Sequence, residues 1–411
     1  MQPQNSLIPQ LFRTEYRKLV SVLSYRFGLE HIQAAEDIVS DTFLSATESW
    51  AIKGIPENPT AWLYTVAKNK ARNYLNRNNL FDVKITPVLQ SESSQGEEID
   101  LDFSEKNISD SQLAMIFTIC NPVISGHLQI SLALNLLCGF GIQEIADAFL
   151  TNKETVYKRL QRAKEKLKIA NIQIQQPKRS EITSRLETVL TTIYLLFSEG
   201  YYSTSQHTVL RKEFCAEAIR LNYLLTENPL TDLPNSSALL SLMCFHASRF
   251  DARTGSNGEM ILYQDQDERL WNLEMIEKGI FFLNRASEGN KVSHFHLEAA
   301  IAYWHTKKAD TKEKWEQILQ LYNSLLILKF SPLAALNRTY ALSKTEGKAV
   351  AIAEAEKLNL NDNQFYYVLL GNLYTEIDNK KALSNFSAAL SLATGEADRK
   401  TIERYIAELN F

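Results

Sequence analysis

The clearest structural signal in this 411-residue chain is the stretch Gly141-Ile-Gln-Glu-Ile-Ala-Asp-Ala-Phe-Leu-Thr-Asn-Lys-Glu-Thr-Val-Tyr-Lys-Arg-Leu160, which continues as Gln161-Arg-Ala-Lys-Glu-Lys-Leu-Lys168. Apolar residues recur at helical spacing in its first part, and Leu150-Thr-Asn then interrupts the pattern. Thr151 or Asn152 can cap a second helix. The inner face of this second helix is predicted to comprise Val156, Leu160, Ala163 and Leu167. The stretch therefore predicts two helices joined by a short turn.

The second predicted helix carries a high density of positive charge. Its cations are Lys153, Lys158, Arg159, Arg162, Lys164, Lys166 and Lys168. A short helical pair with a basic second helix is typical of a helix-turn-helix, in which that helix enters the major groove and its cations neutralise phosphates. The alternative is a solvated basic helix in an ordinary helical bundle.

The length of 411 residues predicts two to four domains, since domains average roughly 100–200 residues. The composition predicts a cytoplasmic protein, for three reasons. No apolar run approaches the roughly 18 residues that would span a membrane. The first residues lack the basic-then-apolar arrangement of a signal peptide. The four cysteines are far apart in sequence and form no CxxC pair, which favours free thiols in a reducing compartment.

Two groups of residues resemble metal-binding motifs, and we expect that neither binds a metal ion. His294 and His296 are two residues apart and would point to different sides of a helix, and no cysteine or carboxylate set completes a site with His305. The stretch Gln264-Asp-Gln-Asp-Glu268 lacks the glycine and the terminal glutamate of a calcium loop. Phosphate-binding glycine loops, nucleophile elbows and paired catalytic acids are also missing from the sequence. We therefore expect no cofactor and no enzymatic activity.

Periodicity and charge divide the chain into segments. Glycine (14) and proline (10) are scarce and alternating strand patterns are nearly absent, so the fold class is predicted to be all-α. The formal net charge of −4 is uneven, because residues 81–110 are strongly acidic and residues 111–180 are basic. We predict a helical domain over residues 1–80, an acidic flexible linker over 81–110, a second helical domain over 111–172, a hinge over 173–180 and a helical block over 181–411.

The last block contains a repeat signal. Small and aromatic residues follow one another at the spacing of a tetratricopeptide repeat in Leu370-Gly371, Tyr374, Ala382, Phe386 and Ala389. A weaker upstream copy consists of Asn337, Tyr340, Ala349 and Ala353. The pattern predicts a helical-repeat-like domain, and the alternative is a generic helical bundle with alanine-rich contacts.

The N-terminal segment contains three predicted helices with different surfaces. The second helix, residues 34–50, should bury Ile38, Ala46 and either Phe43 or Leu44. Its outer face carries an acidic ridge that comprises Asp37, Asp41 and Glu48. The third helix, residues 61–77, is rich in aromatic, amide and basic side chains.

These motifs resemble a known family. The segments Asp37-Ile-Val-Ser-Asp-Thr-Phe43, Asn58-Pro-Thr-Ala-Trp-Leu63 and Ala67-Lys-Asn-Lys-Ala-Arg72 resemble region two of extracytoplasmic-function sigma factors, and the predicted helix-turn-helix resembles their region four. Further motifs resemble the subgroup of this class with a long tetratricopeptide-like C-terminal extension. These are Tyr194-Leu-Leu-Phe-Ser-Glu-Gly-Tyr201, Cys215-Ala-Glu-Ala-Ile-Arg220, Gln264-Asp-Gln-Asp267 with Trp271, and Ala335-Leu-Asn-Arg338.

The resemblance implies a role for each surface. Asp37, Asp41 and Phe43 would contact core RNA polymerase, although Ser40 stands where the family commonly has glutamine. The single-stranded minus-ten element would be bound by Asn58, Trp62, Asn69, Arg72 and Asn73, of which Trp62 could equally be a core residue. The duplex minus-thirty-five element would be read by Lys153, Glu154, Thr155, Lys158, Arg159 and Arg162. Thr155 could instead serve the structure of the turn.

The resulting prediction is a sigma factor that binds core RNA polymerase and promoter DNA, with no membrane contact. The helical block is expected to contact the sigma domains within the same chain and to regulate them, because it is acidic and follows a basic DNA-binding domain. The alternative is a helix-turn-helix regulator with a helical-repeat sensor that acts without polymerase.

Overall fold

The computed structural model describes residues 4–85, 101–149, 151–201, 208–253, 261, 263–393 and 395–409. Within these residues the secondary structure is helical throughout and contains no β-strand, so the predicted all-α class is confirmed. The α-helices form two compact units. The boundary between the units falls near residue 231, beyond the predicted hinge. The predicted domain boundaries remain predictions.

The described part of the first unit contains nine α-helices. Only Tyr201, the last residue of the eighth helix, is assigned to the second unit. They are α1 (Gln4–Phe27), α2 (Ile32–Lys53), α3 (Pro59–Ile85), α4 (Glu105–Ile119), α5 (Gly126–Leu132), α6 (Ile142–Ala148), α7 (Lys153–Ile169), α8 (Arg179–Tyr201) and α9 (Thr208–Glu227). A π-helical turn over Ala133–Leu137 continues α5. Because α3 reaches Ile85 and α4 begins at Glu105, both ends of the predicted linker are helical; residues 86–100 of that linker lie outside the described residues.

The second unit contains nine further α-helices in its described part. They are α10 (Pro234–Ser248), α11 (Leu273–Ala286), α12 (His294–Trp304), α13 (Lys312–Leu328), α14 (Pro332–Thr345), α15 (Lys348–Leu358), α16 (Gln364–Tyr374), α17 (Asn379–Leu392) and α18 (Glu396–Leu409). Two hydrophobic clusters hold the later helices together, one around Trp315 and Ile318 and the other around Leu370 and Phe386. Burial of such aromatic and aliphatic side chains is the main force that holds helices together in water.

Local sequence signals explain where α7 begins and which face it buries. The Asn152 side chain accepts a hydrogen bond from the Thr155 amide at 2.8 Å, which caps the first turn of the helix. The predicted inner face is confirmed, since Val156, Leu160, Ala163 and Leu167 are all buried. The preceding helix α6 begins at Ile142, and the Glu144 side chain in its first turn accepts a hydrogen bond from the Gly141 amide at 2.8 Å. Leu150, in the predicted turn, lies outside the described residues.

The predicted repeat is supported at one copy and wrong at the other. Helices α16 and α17 meet where Gly371 faces the ring of Phe386, and a Cβ atom on Gly371 would lie only 2.5 Å from that ring. In the upstream pair, Ala349 and Ala353 are exposed. The buried residues of α15 are Ala351 and Ala355, so the predicted register of the upstream copy is wrong by two residues.

Candidate nucleic-acid interface

Helix α7 presents most of its predicted DNA-binding side chains on its outer surface. Lys153, Glu154, Lys158 and Arg162 are exposed, whereas Thr155 and Arg159 are half-buried. The Glu154 carboxylate lies 2.6 Å from the Lys158 ammonium, so one of the cations is balanced by an acid one turn away. The outer face of α7 can therefore present positive charge to a duplex without any rearrangement of its side chains.

Tyr157 is a residue of this surface that the sequence did not single out. Its ring is exposed between the basic positions and lines a shallow groove together with Ile142, Gln143, Lys153 and Glu154. An exposed aromatic ring among cations can pack on a sugar or a base. The signal was present in the sequence as the one aromatic residue on the polar side of a basic helix.

Lys164 of the same helix is not free to bind a phosphate. Its ammonium lies 2.5 Å from the Glu36 carboxylate of α2, and the two side chains are only 19% and 10% exposed. Burial raises the pKa of Glu36, and the neighbouring Lys164 acts in the opposite direction by favouring the carboxylate. The predicted role of Lys164 in neutralising phosphates is therefore corrected, because this lysine holds α7 against α2.

The acidic ridge of α2 is exposed, but its predicted apolar anchor is not. Asp37 and Asp41 both face solvent, and Asp41 lies 4.0 Å from the ammonium of Lys70. Phe43 is only 5% exposed and packs edge-on against Phe12, with 4.9 Å between the ring centroids. In this structure Phe43 is a core residue, so its predicted contact with polymerase is corrected on grounds of burial.

The exposed apolar residue of α2 beside Phe43 is Leu44, which is 57% exposed. The sequence left open which of Phe43 and Leu44 faces inward. The structure buries Phe43 and leaves Leu44 available as an apolar contact next to the acidic ridge.

Helix α3 exposes only part of the predicted minus-ten surface. Asn69 and Asn73 are exposed one helical turn apart, and Arg72 beside them is half-buried. Asn58 has a structural role, because its side chain accepts a hydrogen bond from the Ala61 amide at 3.0 Å and so caps the helix. Trp62 is half-buried and packs edge-on against the ring of Trp50, with 5.4 Å between centroids.

A network of ion pairs joins α1 to later helices of the first unit. Arg13 contacts Glu144 of α6 at 2.5 Å and also Glu213 of α9. Arg17 pairs with Glu217 of α9, and both of these side chains are largely buried. These pairs join positions more than a hundred residues apart, so no local pattern in the sequence could have indicated them.

Helices α8 and α9 also pack on α4 and on the α5 segment. Arg185 of α8 donates a hydrogen bond to the backbone carbonyl of Phe117, and the Thr192 hydroxyl donates to the Gln129 side chain at 2.6 Å. Arg220 of α9 donates to the carbonyl of Leu137 at 2.7 Å. The first two helices of the block that was predicted to begin at residue 181 therefore share the core of the first unit.

His296, which belongs to the histidine group considered above as a metal site, forms hydrogen bonds within the fold. His296 Nδ1 accepts a hydrogen bond from the Ser293 amide at 3.1 Å, and His296 Nε2 lies 3.2 Å from the carbonyl oxygen of Ala286. Among the residues that the structure describes, no group of three histidine, cysteine or acidic side chains could hold a metal ion. In the same part of the chain, no helix is both long and apolar enough to cross a membrane.

Comparison with known proteins identifies the class of the N-terminal helices. Residues 11–80 match the family model Sigma-70 region 2, which confirms the predicted region two and supports a sigma-factor-like role in transcription initiation. Residues 185–287 match a family of unknown function designated DUF6596.

The chain belongs to the same family as an uncharacterized protein of Rhizobium meliloti (strain 1021). The two are 30% identical over 385 residues, which cover 92% of this chain and 90% of the relative. No solved structure matches the chain.

Proposed function

We propose that this protein is a sigma factor of the extracytoplasmic-function class, which binds core RNA polymerase in the cytoplasm and directs promoter-specific transcription initiation. The observation that carries the proposal is the match of residues 11–80 to Sigma-70 region 2. The exposed carboxylates of Asp37 and Asp41 support it, because an acidic ridge with Leu44 beside it suits a basic partner surface with an apolar centre. The polymerase, and not this chain, would carry out the chemistry.

Two surfaces of the first unit would contact promoter DNA. The exposed amides of Asn69 and Asn73, with Arg72, would bind unstacked bases of the minus-ten element. The outer face of α7, with Lys153 and Arg162, would act as region four on the minus-thirty-five duplex. Each guanine contact by an arginine would contribute about 1–3 kcal/mol of discrimination, and the lysines would add salt-dependent affinity.

The C-terminal block, which resembles a tetratricopeptide-like extension, would regulate these surfaces from within the chain. The contacts of α8 and α9 with α1, α4 and α5 support this role, since helices beyond the sigma-like part belong to the same compact unit. The DUF6596 match begins at residue 185, within α8. Regulation by a part of the same chain would take the place of a separate inhibitory protein.

The geometry of the first unit argues that this conformation is a closed one. The two promoter elements are about 25 base pairs apart, which is roughly 85 Å along the duplex at about 3.4 Å per base pair. Helix α7 has 17 residues and is therefore only about 25 Å long, and Lys164 near its end is paired with Glu36 of α2. We infer from this pairing that α7 would have to separate from α2 for both elements to be bound at once.

Run-off transcription with core RNA polymerase tests the proposal. The full chain should direct specific transcripts from promoters of its source genome, and the double substitution Asp37→Asn with Asp41→Asn should abolish them. The control Glu57→Gln removes an exposed acid from the loop before α3 and should leave transcription unchanged. If no promoter gives a specific transcript while a known sigma factor works in the same assay, the proposal is wrong. Tight duplex binding without polymerase association would instead favour the helix-turn-helix regulator.

A further inference from the structure

Tyr263 in the second unit lies at the centre of a cluster of cationic and aromatic side chains. Three cations are close to its ring centroid: the Arg249 guanidinium at 5.4 Å, the Lys314 ammonium at 5.0 Å and the Lys308 ammonium at 5.8 Å. The ring of His305 is 5.1 Å away. The chain brings these groups together from the end of α10, the end of α12, the following loop and the start of α13.

The two most buried of these cations form no salt bridge with any residue that the structure describes. Arg249 is 8% exposed, its guanidinium lies over the Tyr263 ring, and its Nε atom is buried without a hydrogen-bond partner. Lys314 is 2% exposed, and its ammonium donates to the Tyr263 hydroxyl at 2.9 Å and to the Lys307 carbonyl at 2.5 Å. Both acceptors are neutral, and Asp310 favours the charged form of Lys314 only from beyond ion-pair distance, so neither cation forms a salt bridge with a described carboxylate.

Two of the nearby carboxylates are already paired with other groups. Asp310 accepts hydrogen bonds from the Trp315 indole and from the Lys344 ammonium, and Asp267 is paired with Arg269. In the described part of the chain, no acidic side chain comes within 4.0 Å of the charged nitrogens of Arg249, Lys308 or Lys314. The cluster therefore has a surplus of positive charge.

Polar atoms beside the cations also lack partners. The Trp271 Nε1, Gln266 Oε1 and His305 Nδ1 atoms are buried without a hydrogen bond to any of the described residues. Burial, together with the charges of Arg249 and Lys314, lowers the pKa of His305 to about 3 and keeps this ring neutral. Buried charges and buried donors without partners are unfavourable, and in natural proteins such groups usually have a bound water, ion or ligand.

We propose that this cluster is a binding site for a small carboxylate- or phosphate-bearing molecule. The Arg249 guanidinium and the Lys314 ammonium would neutralise the anionic group, and the Trp271 indole would donate a further hydrogen bond to it. Charge-assisted hydrogen bonds of this kind are the strongest that a neutral-pH site can offer to an anion. The site lies wholly within the second unit, and its existence does not depend on the proposed role in transcription.

Thermal unfolding of the full chain in the presence of simple anions tests the site. Inorganic phosphate and succinate are titrated separately, each against sodium chloride of equal ionic strength. At least one of them should raise Tm by about 2–4 °C at saturation, because a ligand that binds only the folded state stabilises it. Isothermal titration calorimetry should give one site per chain, and the comparison of the two anions shows which group the site prefers.

Two substitutions locate the binding, and a third provides the control. Arg249→Met and Lys314→Met should each abolish the anion-dependent rise and should unfold no earlier than the wild type in anion-free buffer, because each removes an uncompensated charge. Lys400→Met removes an exposed lysine of α18 and should keep the full rise. If neither anion raises the Tm of the wild type above chloride, or if both cluster variants keep the rise, the site does not exist.

Discussion

Among single residues, the pair formed by Lys164 and Glu36 has the clearest energetic consequence. Both side chains are largely buried, so Lys164→Met would leave an uncompensated carboxylate in the interior. We expect a loss of about 2–4 kcal/mol in the free energy of unfolding, close to the range for broken buried ion pairs. Lys158→Met is the matched control in the same helix, because its pair with Glu154 is exposed and should contribute less than about 1 kcal/mol. Urea denaturation measures the loss of stability in both variants. Equal losses would show that the buried pair stabilises the fold no more than the exposed pair.

The same variant should show a pH dependence of known sign. Burial raises the pKa of Glu36 above its ordinary value of 4.5, and removal of Lys164 should raise it further. A carboxyl group with a raised pKa in the folded state binds more protons there than in the unfolded chain, so its contribution to stability falls as pH rises from about 4.5 through the folded-state pKa. Lys164→Met should therefore be less destabilising at pH 5 than at pH 8. Denaturation curves of both proteins at the two pH values decide this.

Phe43 and Leu44 are adjacent in sequence but differ in environment, since Phe43 lies in the core and Leu44 on the surface. Phe43→Ala should cost about 3–5 kcal/mol of stability, because it removes a buried ring that packs on Phe12. Leu44→Ala should leave stability within about 0.5 kcal/mol and weaken binding to core polymerase severalfold, since an exposed apolar contact would be lost. Denaturation and polymerase pull-down on the two variants test this, and the opposite assignment would restore Phe43 to the docking surface.

Among the helices, the features predicted most reliably are those that depend on residues close together in the sequence, namely where a helix begins and which face it buries. The start of α7 and its buried face follow from a capping asparagine and from apolar spacing, and both agree with the structure. The sequence could not show that Lys164 is paired while Lys158 is exposed, because that difference arises from α2. The register of the upstream repeat failed for a related reason, since alternate alanines in α15 offer several equivalent inner faces.

The contact of α16 with α17 gives a prediction in which two effects have opposite signs. Gly371→Ala should favour the helix by up to about 1 kcal/mol through helix propensity alone. The added Cβ atom would, however, lie 2.5 Å from the Phe386 ring, which must then move within a packed cluster. We expect a net destabilisation of about 1–3 kcal/mol, as for other overpacked cores. A rise in Tm on this substitution would show that the two helices approach each other less closely than described.

At the scale of the whole molecule, the ion pairs between α1 and α9 should control the opening of the first unit. Glu217 lies between Arg17 and Arg220, and burial together with Arg220 lowers the pKa of Arg17. Glu217→Ala would leave these two guanidinium groups facing each other and would weaken the attachment of α9. In the proposed closed state the unit would not bind both promoter elements at once, so opening it should raise promoter-specific transcription severalfold at a fixed polymerase concentration.

The exposed Glu227 on the same helix supplies the control for this experiment. Glu227→Ala should leave transcription unchanged, because no ion pair joins this residue to another described residue. Small-angle X-ray scattering should show a larger radius of gyration for Glu217→Ala than for Glu227→Ala or the wild type. An expanded Glu217→Ala protein with reduced transcription would mean that the C-terminal helices are needed for polymerase contact. An expanded protein with unchanged transcription would mean that the closed arrangement of the first unit does not limit promoter recognition.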